Sequence, residues 1–259
     1  EFCSQRLRSD KKFALQAVRK NGMMLLHCGS EFRSDKNVVL EAVKNDGRAL
    51  RDVCSEFRSD QDIVAEAVKN DGCALRFVCK KLKSDREIVM AALRNRGDAL
   101  RFASLPMRDT KNVVMVAVQC NGYAIQFAST RLQEDMDVIS AAIRSSPYDV
   151  FERDLVPDEL IDENVARAAV STDGSVLEFL TAYQDNRKIV RCAVINTWRA
   201  LEFASQRLRD DKELLMTALD SEDRNHDIPY QGKKHSCHSN RVSVRLAIEI
   251  SFTYSNTFL

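Results

Sequence analysis

Apolar residues recur along this chain at helical spacing, and the stripes themselves recur once per repeat. After Ser34-Asp35 they fall at Val38, Val39, Ala42 and Val43, one face of a 3.6-residue period. A second stripe follows at Ala49, Leu50, Val53, Cys54 and Phe57, and Arg58-Ser59-Asp60 then restarts the pattern. Polar residues fill the other faces, and Gly47 stands between the stripes. The spacing predicts a helix of roughly 11 residues, a tight turn and a helix of roughly 9 in each unit. Ser59…Asp62 and Ser84…Glu87 fit a capping box, in which a hydroxyl and a carboxylate satisfy the first free amides. A glycine just past a helix end fits closure through a left-handed residue, where a Cβ would be penalised.

Two markers hold one period. Asp10, Asp35, Asp60, Asp85, Thr110, Asp135, Asp162, Asn186 and Asp211 head successive copies, with steps of 25 residues five times and then 27, 24 and 25. Gly22, Gly47, Gly72, Gly97, Gly122, Pro147, Gly174 and Trp198 run in phase with them. The opening EFCSQRLRSDKK and the later EFASQRLRDDKE are the same half-repeat, eight periods apart. One position is alanine in every copy: Ala17, Ala42, Ala67, Ala92, Ala117, Ala142, Ala169, Ala193 and Ala218. Helix propensity alone would not hold one position constant while its neighbours vary, so this column predicts close approach of stacked helices. Helices this short need such stacking, because isolated ones are marginal below about 12–15 residues. The predicted fold is all-α, an α-solenoid of about eight to nine two-helix repeats with an irregular C-terminal tail.

The regularity breaks where SSPYDVFERDLVPDELID carries two extra residues and two prolines, and again after Leu219. These breaks divide the chain into regular repeats over residues 1–147, repeats after a bend or insertion over 148–219, and a non-repeat tail or cap over 220–259. Val242 to Phe252 could close the stack as a helix or as a strand.

Composition narrows the class. Of 259 residues, 44% are hydrophobic and 30% charged, which is globular rather than disordered, and the net charge is only +1. The longest apolar stretches, such as Val113 to Val118, fall far short of the roughly 20 residues that cross a bilayer. No charged-then-apolar leader opens the sequence. Four of the eight cysteines, Cys3, Cys28, Cys54 and Cys79, fall at small-residue repeat positions, where a free thiol packs as a small hydrophobe. Equivalent atoms of stacked helices lie roughly 8–10 Å apart, beyond disulfide reach. Reduced cysteines and an intracellular, reducing compartment are expected.

Copies such as DKNVVLEAVKNDGRALRDVCSEFRS and DREIVMAALRNRGDALRFAS, with the fragment ALEFASQRLRDDKELLMTAL, resemble the repeats of the domain-of-unknown-function 4116 family. Both the D-x-x-V-V-x-x-A-V and the G-x-A-L-x-F-A-S motifs match, over about Glu1 to Leu219. The resemblance implies a helical array and carries no catalytic residues with it.

Candidate chemistry is sparse. No phosphate-binding glycine loop, nucleophile elbow or H-E-x-x-H motif occurs, and titratable residues repeat with the period instead of clustering. His235, Cys237 and His238, with His226 upstream, form one dense polar cluster rather than the two opposed ligand pairs of a zinc site, and His27 reads as packing or surface. No catalytic, cofactor or metal residue is therefore assigned, and a non-catalytic protein is expected. Charge is more informative. Arg33, Arg58, Lys83 and Arg108 form a basic column, as do Arg51, Arg76 and Arg101, and as do Arg19, Lys44, Lys69, Arg94 and Arg144. Residues 1–133 carry 24 basic and 16 acidic residues, net +8, while residues 134–219 carry 10 and 17, net −7. The first two columns are the candidate partner-binding residues, facing a protein with an acidic surface, in a scaffold that serves as a structural subunit of a larger assembly. The alternative is nucleic acid on the same basic face. Phe77, Phe102, Phe127, Phe179 and Phe203 share a position on an apolar stripe, which predicts core rather than a base-stacking platform.

Overall fold

The computed structural model describes residues 9–225. The histidine-cysteine cluster, Val242 to Phe252 and most of the expected tail lie outside the described residues. Every regular element among the described residues is helical, and the architecture is an all-α solenoid. The chain divides into two compact units, Glu1–Val150 and Phe151–Leu259.

In the first unit, ten-residue α-helices span Lys11–Lys20, Lys36–Asn45, Gln61–Asn70, Arg86–Asn95, Lys111–Cys120 and Met136–Ser145. Each packs against the next. In the second unit, Glu163–Thr172, Arg187–Asn196 and Lys212–Asn225 follow the same order. The last helix continues to Asn225, past Leu219, where the sequence pattern predicts the start of an irregular tail. The stripe residues form the core: Val38, Val39, Ala42 and Val43 are fully buried, as are Ala49 and Leu50.

The helices start on their aspartates. Asp35 Oδ1 accepts from the Asn37 and Val38 amides at 3.0 and 3.3 Å, and Asp60, Asp85, Asp135, Asn186 and Asp211 repeat the arrangement. This corrects the capping-box reading of Ser59 and Ser84, which stand one residue too early, at the end of the preceding segment. A carboxylate oxygen two residues from the first free amide reaches both donors, so the aspartate is the cap.

The second half of each repeat departs from a single nine-residue helix. Except in the repeat that carries Pro147–Glu152, an α-helix, it opens with a 3-10 helix of five or six residues, such as Gly72–Phe77 or Gly97–Phe102. An extended residue, Val78 or Ala103, ends that helix, and a shorter helical segment follows, such as Leu82–Ser84 or Leu105–Arg108. With three residues per turn, Ala74 and Leu75 point inward, while Arg76 lies on the outside. An apolar stripe of two or three residues fits either geometry, and this is why the periodicity did not distinguish them.

The glycines also differ from expectation. No described glycine has a positive φ. The α-helix closes instead on an extended residue, Asp71 with φ −138° and ψ 110°, whose amide still reaches Ala67 O. Glycine is required by a neighbour: a Cβ on Gly72 would stand 2.3 Å from the carbonyl oxygen of Ala92 in the next repeat. Gly22, Gly47, Gly97, Gly122 and Gly174 meet Ala42, Ala67, Ala117, Ala142 and Ala193 in the same way. The alanine column thus marks the close approach that its constancy predicted, and its contact is the glycine column of the preceding repeat.

An asparagine holds each contact in register. Asn95 Oδ1 accepts the Gly72 amide at 2.8 Å, and its Nδ2 donates to Lys69 O at 3.0 Å. Asn45, Asn70 and Asn196 do the same for Gly22, Gly47 and Gly174. A second ladder is wholly backbone, with Cys54, Cys79, Ser104 and Ser129 amides donating to the carbonyls of Arg33, Arg58, Lys83 and Arg108. The described cysteines form no disulfide with one another; Cys28, Cys54 and Cys79 are half-buried.

Gly72→Ala tests the close approach. At a solvent-exposed site with compatible φ this change stabilises by reducing the freedom of the unfolded chain. Here overpacking against Ala92 should reverse the sign and cost about 1–3 kcal/mol, read as a lower urea midpoint.

Candidate interaction surface

The first basic column turns inward upon the backbone. Arg33 Nη2 donates to Leu26 O at 2.9 Å, Arg58 Nη2 to Arg51 O at 2.6 Å and Val53 O at 3.2 Å, and Lys83 Nζ to Arg76 O at 2.9 Å. These carbonyls lie at or near the ends of the 3-10 helices, where no amide of the same helix can reach them. Arg108 instead donates through Nε to Phe127 O, one repeat on. All four side chains are half-buried, and burial pushes the Lys83 ammonium below its ordinary value. At the same place in later repeats, neutral Gln133 bonds Gln126 O and Ala128 O, and Gln184 bonds Leu177 O and Glu178 O. A neutral donor performs the same task, so the recurring need at this position is for an N–H, not for a charge.

The second column is different. Arg51, Arg76 and Arg101 are exposed on consecutive 3-10 helices that touch one another. Arg51 is occupied by its neighbour Asp52, at 3.1 Å. Arg76 lies over the Phe77 ring at 5.0 Å and the Phe102 ring at 5.8 Å, and Arg101 lies over Phe102 at 4.5 Å. No carboxylate among the described residues lies within ion-pair distance of Arg76 or Arg101. The phenylalanines correct a prediction: Phe77, Phe102, Phe127, Phe179 and Phe203 are half-buried, forming a surface edge rather than sealed core. Each ring stands at the end of its 3-10 helix, next to the extended residue that stops it, and its outer side is left open. Tyr123 meets Phe127 edge-to-face at 5.8 Å, extending the aromatic edge by one repeat. Residues 72–102 therefore present a ribbon of alternating guanidinium groups and rings, which Tyr123 and Phe127 continue as rings alone.

Sequence inspection missed the counterpart of this ribbon. In the second unit the residues at the arginine position are Glu178 and Glu202, both exposed, each followed by its phenylalanine. Setting the repeats in register on the glycine column would have found the change of sign.

The third column, Arg19, Lys44, Lys69, Arg94 and Arg144, is an exposed face. Within it Arg19 pairs with Glu41 at 2.6 Å and Lys69 with Glu66 at 3.0 Å. At the opposite helix ends, a cation directly after the cap reaches the next repeat's helix start in four places: Lys11 to Asp35, Lys36 to Asp60, Lys111 to Asp135 and Asp137, Arg187 to Asp211 and Glu213. The lysine hydrogen bond, with the capped amides, holds the Asp35, Asp60 and Asp135 carboxyls below their ordinary range. Arg187 does the same for Asp211.

A solenoid whose repeats interlock in this way defines a class of protein, and comparison supplies the family. The model of the domain of unknown function DUF4116 matches residues 1–33, 10–58, 60–108, 110–153 and 162–209, so the chain belongs to that family. No curated protein and no solved structure matches it. No helix among the described residues is long and apolar enough to cross a membrane.

Two outcomes test the charged residues. Arg58→Ala should cost about 1 kcal/mol because two backbone carbonyls, one of them part-buried, lose their donor, and Arg58→Gln should restore most of it, as Gln133 and Gln184 do; urea unfolding of both variants measures the difference. The depressed aspartates contribute stability that is complete above the unfolded-state value and lost as pH falls through the folded one. The urea midpoint should therefore decline from about pH 4 downward. Combined Asp35→Asn, Asp60→Asn and Asp135→Asn, which keep the caps and remove the charges, should flatten that decline.

Proposed function

We propose that the chain is a non-catalytic scaffold that binds protein partners along its solenoid surface as a structural subunit of a larger assembly. One observation carries the reading. The recurring asparagines, aspartates and backbone donors are used in joining repeat to repeat, while the exposed residues of the 3-10 helices vary in charge and shape from copy to copy. Positions released from the task of stacking are where a repeat protein can present a specific surface. The guanidinium groups of Arg76 and Arg101, without an ion-pair partner among the described residues, suit a partner with acidic groups, and half-buried cysteines such as Cys54 and Cys79 suit a reducing compartment.

The aromatic edge beside those arginines favours a second reading, in which the same ribbon holds nucleic acid. Against it, Arg76 lies against Phe77 and Phe102, and Arg101 against Phe102, so both rings have a guanidinium where a base would stack. Cross-linking and mass spectrometry of the native protein, with and without nuclease treatment, separates the two. A stoichiometric protein partner that survives nuclease is expected. Loss of all association on nuclease treatment would establish the nucleic-acid reading, and a native protein with no partner at all would overturn both.

A further inference from the structure

The basic ribbon has its electrostatic opposite within the same chain. Arg76 and Arg101 occupy the fifth position of two touching 3-10 helices, Gly72–Phe77 and Gly97–Phe102. Glu178 and Glu202 occupy the fifth position of another touching pair, Gly174–Glu178 and Trp198–Phe203. Each charge is followed by a half-buried phenylalanine: Phe77, Phe102, Phe179 and Phe203. The arginines are 25 residues apart and the glutamates 24, one repeat in both cases, so the two rows share the pitch of the stack.

From this match we propose that the chain self-associates, with the arginine–phenylalanine ribbon of one copy seated on the glutamate–phenylalanine ribbon of a second copy. Neighbouring charges leave the four charged side chains Arg76, Arg101, Glu178 and Glu202 unopposed. Arg51 is held by Asp52, and Asp98 is held by Arg96 at 3.2 Å, so the acids beside the basic row are already neutralised. Arg207 is held by Asp185 at 3.0 Å, and Arg199 lies over the Trp198 ring at 5.3 Å. No cation among the described residues lies within ion-pair distance of the Glu178 or Glu202 carboxylate. The rings hold the arginines in place before contact, which reduces the side-chain freedom lost on binding. Opposed phenylalanine rows would exclude water from the pairs and strengthen them. Exposed ion pairs are each weak, so the association should be reversible and salt-sensitive.

Self-association goes beyond the scaffold reading, and sedimentation velocity of the purified chain at low and high salt tests it. Concentration-dependent association at low salt that fades at high salt is expected. Arg76→Glu with Arg101→Glu should weaken it about tenfold or more, as should Glu178→Arg with Glu202→Arg. Mixing the two variants should restore it, because the acidic rows of one then meet the basic rows of the other. Helical circular dichroism of each variant confirms that the exposed changes leave the fold intact. A parent chain that stays monomeric at low salt overturns the proposal, as does a mixture that associates no better than either variant alone. A monomeric chain that still retains its native protein partner would leave the scaffold reading standing.

Discussion

The structure depends on the approach of a glycine in one repeat to an alanine carbonyl in the next. At Gly72 there is no room for even one carbon atom before Ala92 O, and the same contact recurs along both units. Such closeness brings the glycine amide within reach of the asparagine at the end of the following helix, which accepts that amide and donates back to the previous helix end. The asparagine thereby satisfies one free donor and one free acceptor that short helices leave at their ends. Without the close approach the asparagine could not span the gap, and ten-residue helices have little stability of their own to fall back on.

Departures from the pattern show which parts of it are essential. Cys120 replaces the asparagine opposite Gly97, yet Gly97 still meets Ala117 O at the same distance as elsewhere. At Gly122 the acceptor is Ser146 Oγ, at 3.2 Å. The polar clamp therefore varies while the glycine–alanine contact stays, as expected if packing sets the geometry and hydrogen bonding selects the register. Likewise, Thr110 replaces a capping aspartate and turns its hydroxyl to Pro106 O, and its helix keeps the same ten-residue length.

The charged residues carry a similar lesson about periodicity. A column of arginine and lysine looks in sequence like a field directed at a partner. In Arg33, Arg58 and Lys83 the positive charge accompanies a local task, the satisfaction of backbone carbonyls at the ends of 3-10 helices. The informative charges are those that change sign between repeats while their backbone setting stays the same, as from Arg76 to Glu202. Surface chemistry that differs between copies cannot be explained by the needs of the stack.

From sequence alone came the 25-residue period, the helical class, the position of every ten-residue helix and the existence of a close contact at the alanine column. All of these follow from local rules, namely apolar spacing within a helix and identity between copies. The tertiary structure decided what those rules do not contain. Gly72 could be a left-handed turn or a close approach, and only the position of Ala92, 20 residues later, selects the second. Asn95 carries no signal of its own in the sequence, and only stacking brings its partners, Gly72 and Lys69, beside it. Phe77 and Phe102 sit on an apolar stripe in sequence, yet both rings are only half-buried, and stacking brings Arg76 of one repeat over Phe102 of the next. In each case the deciding neighbour lies about one repeat away along the chain, so the pattern within a repeat cannot register it.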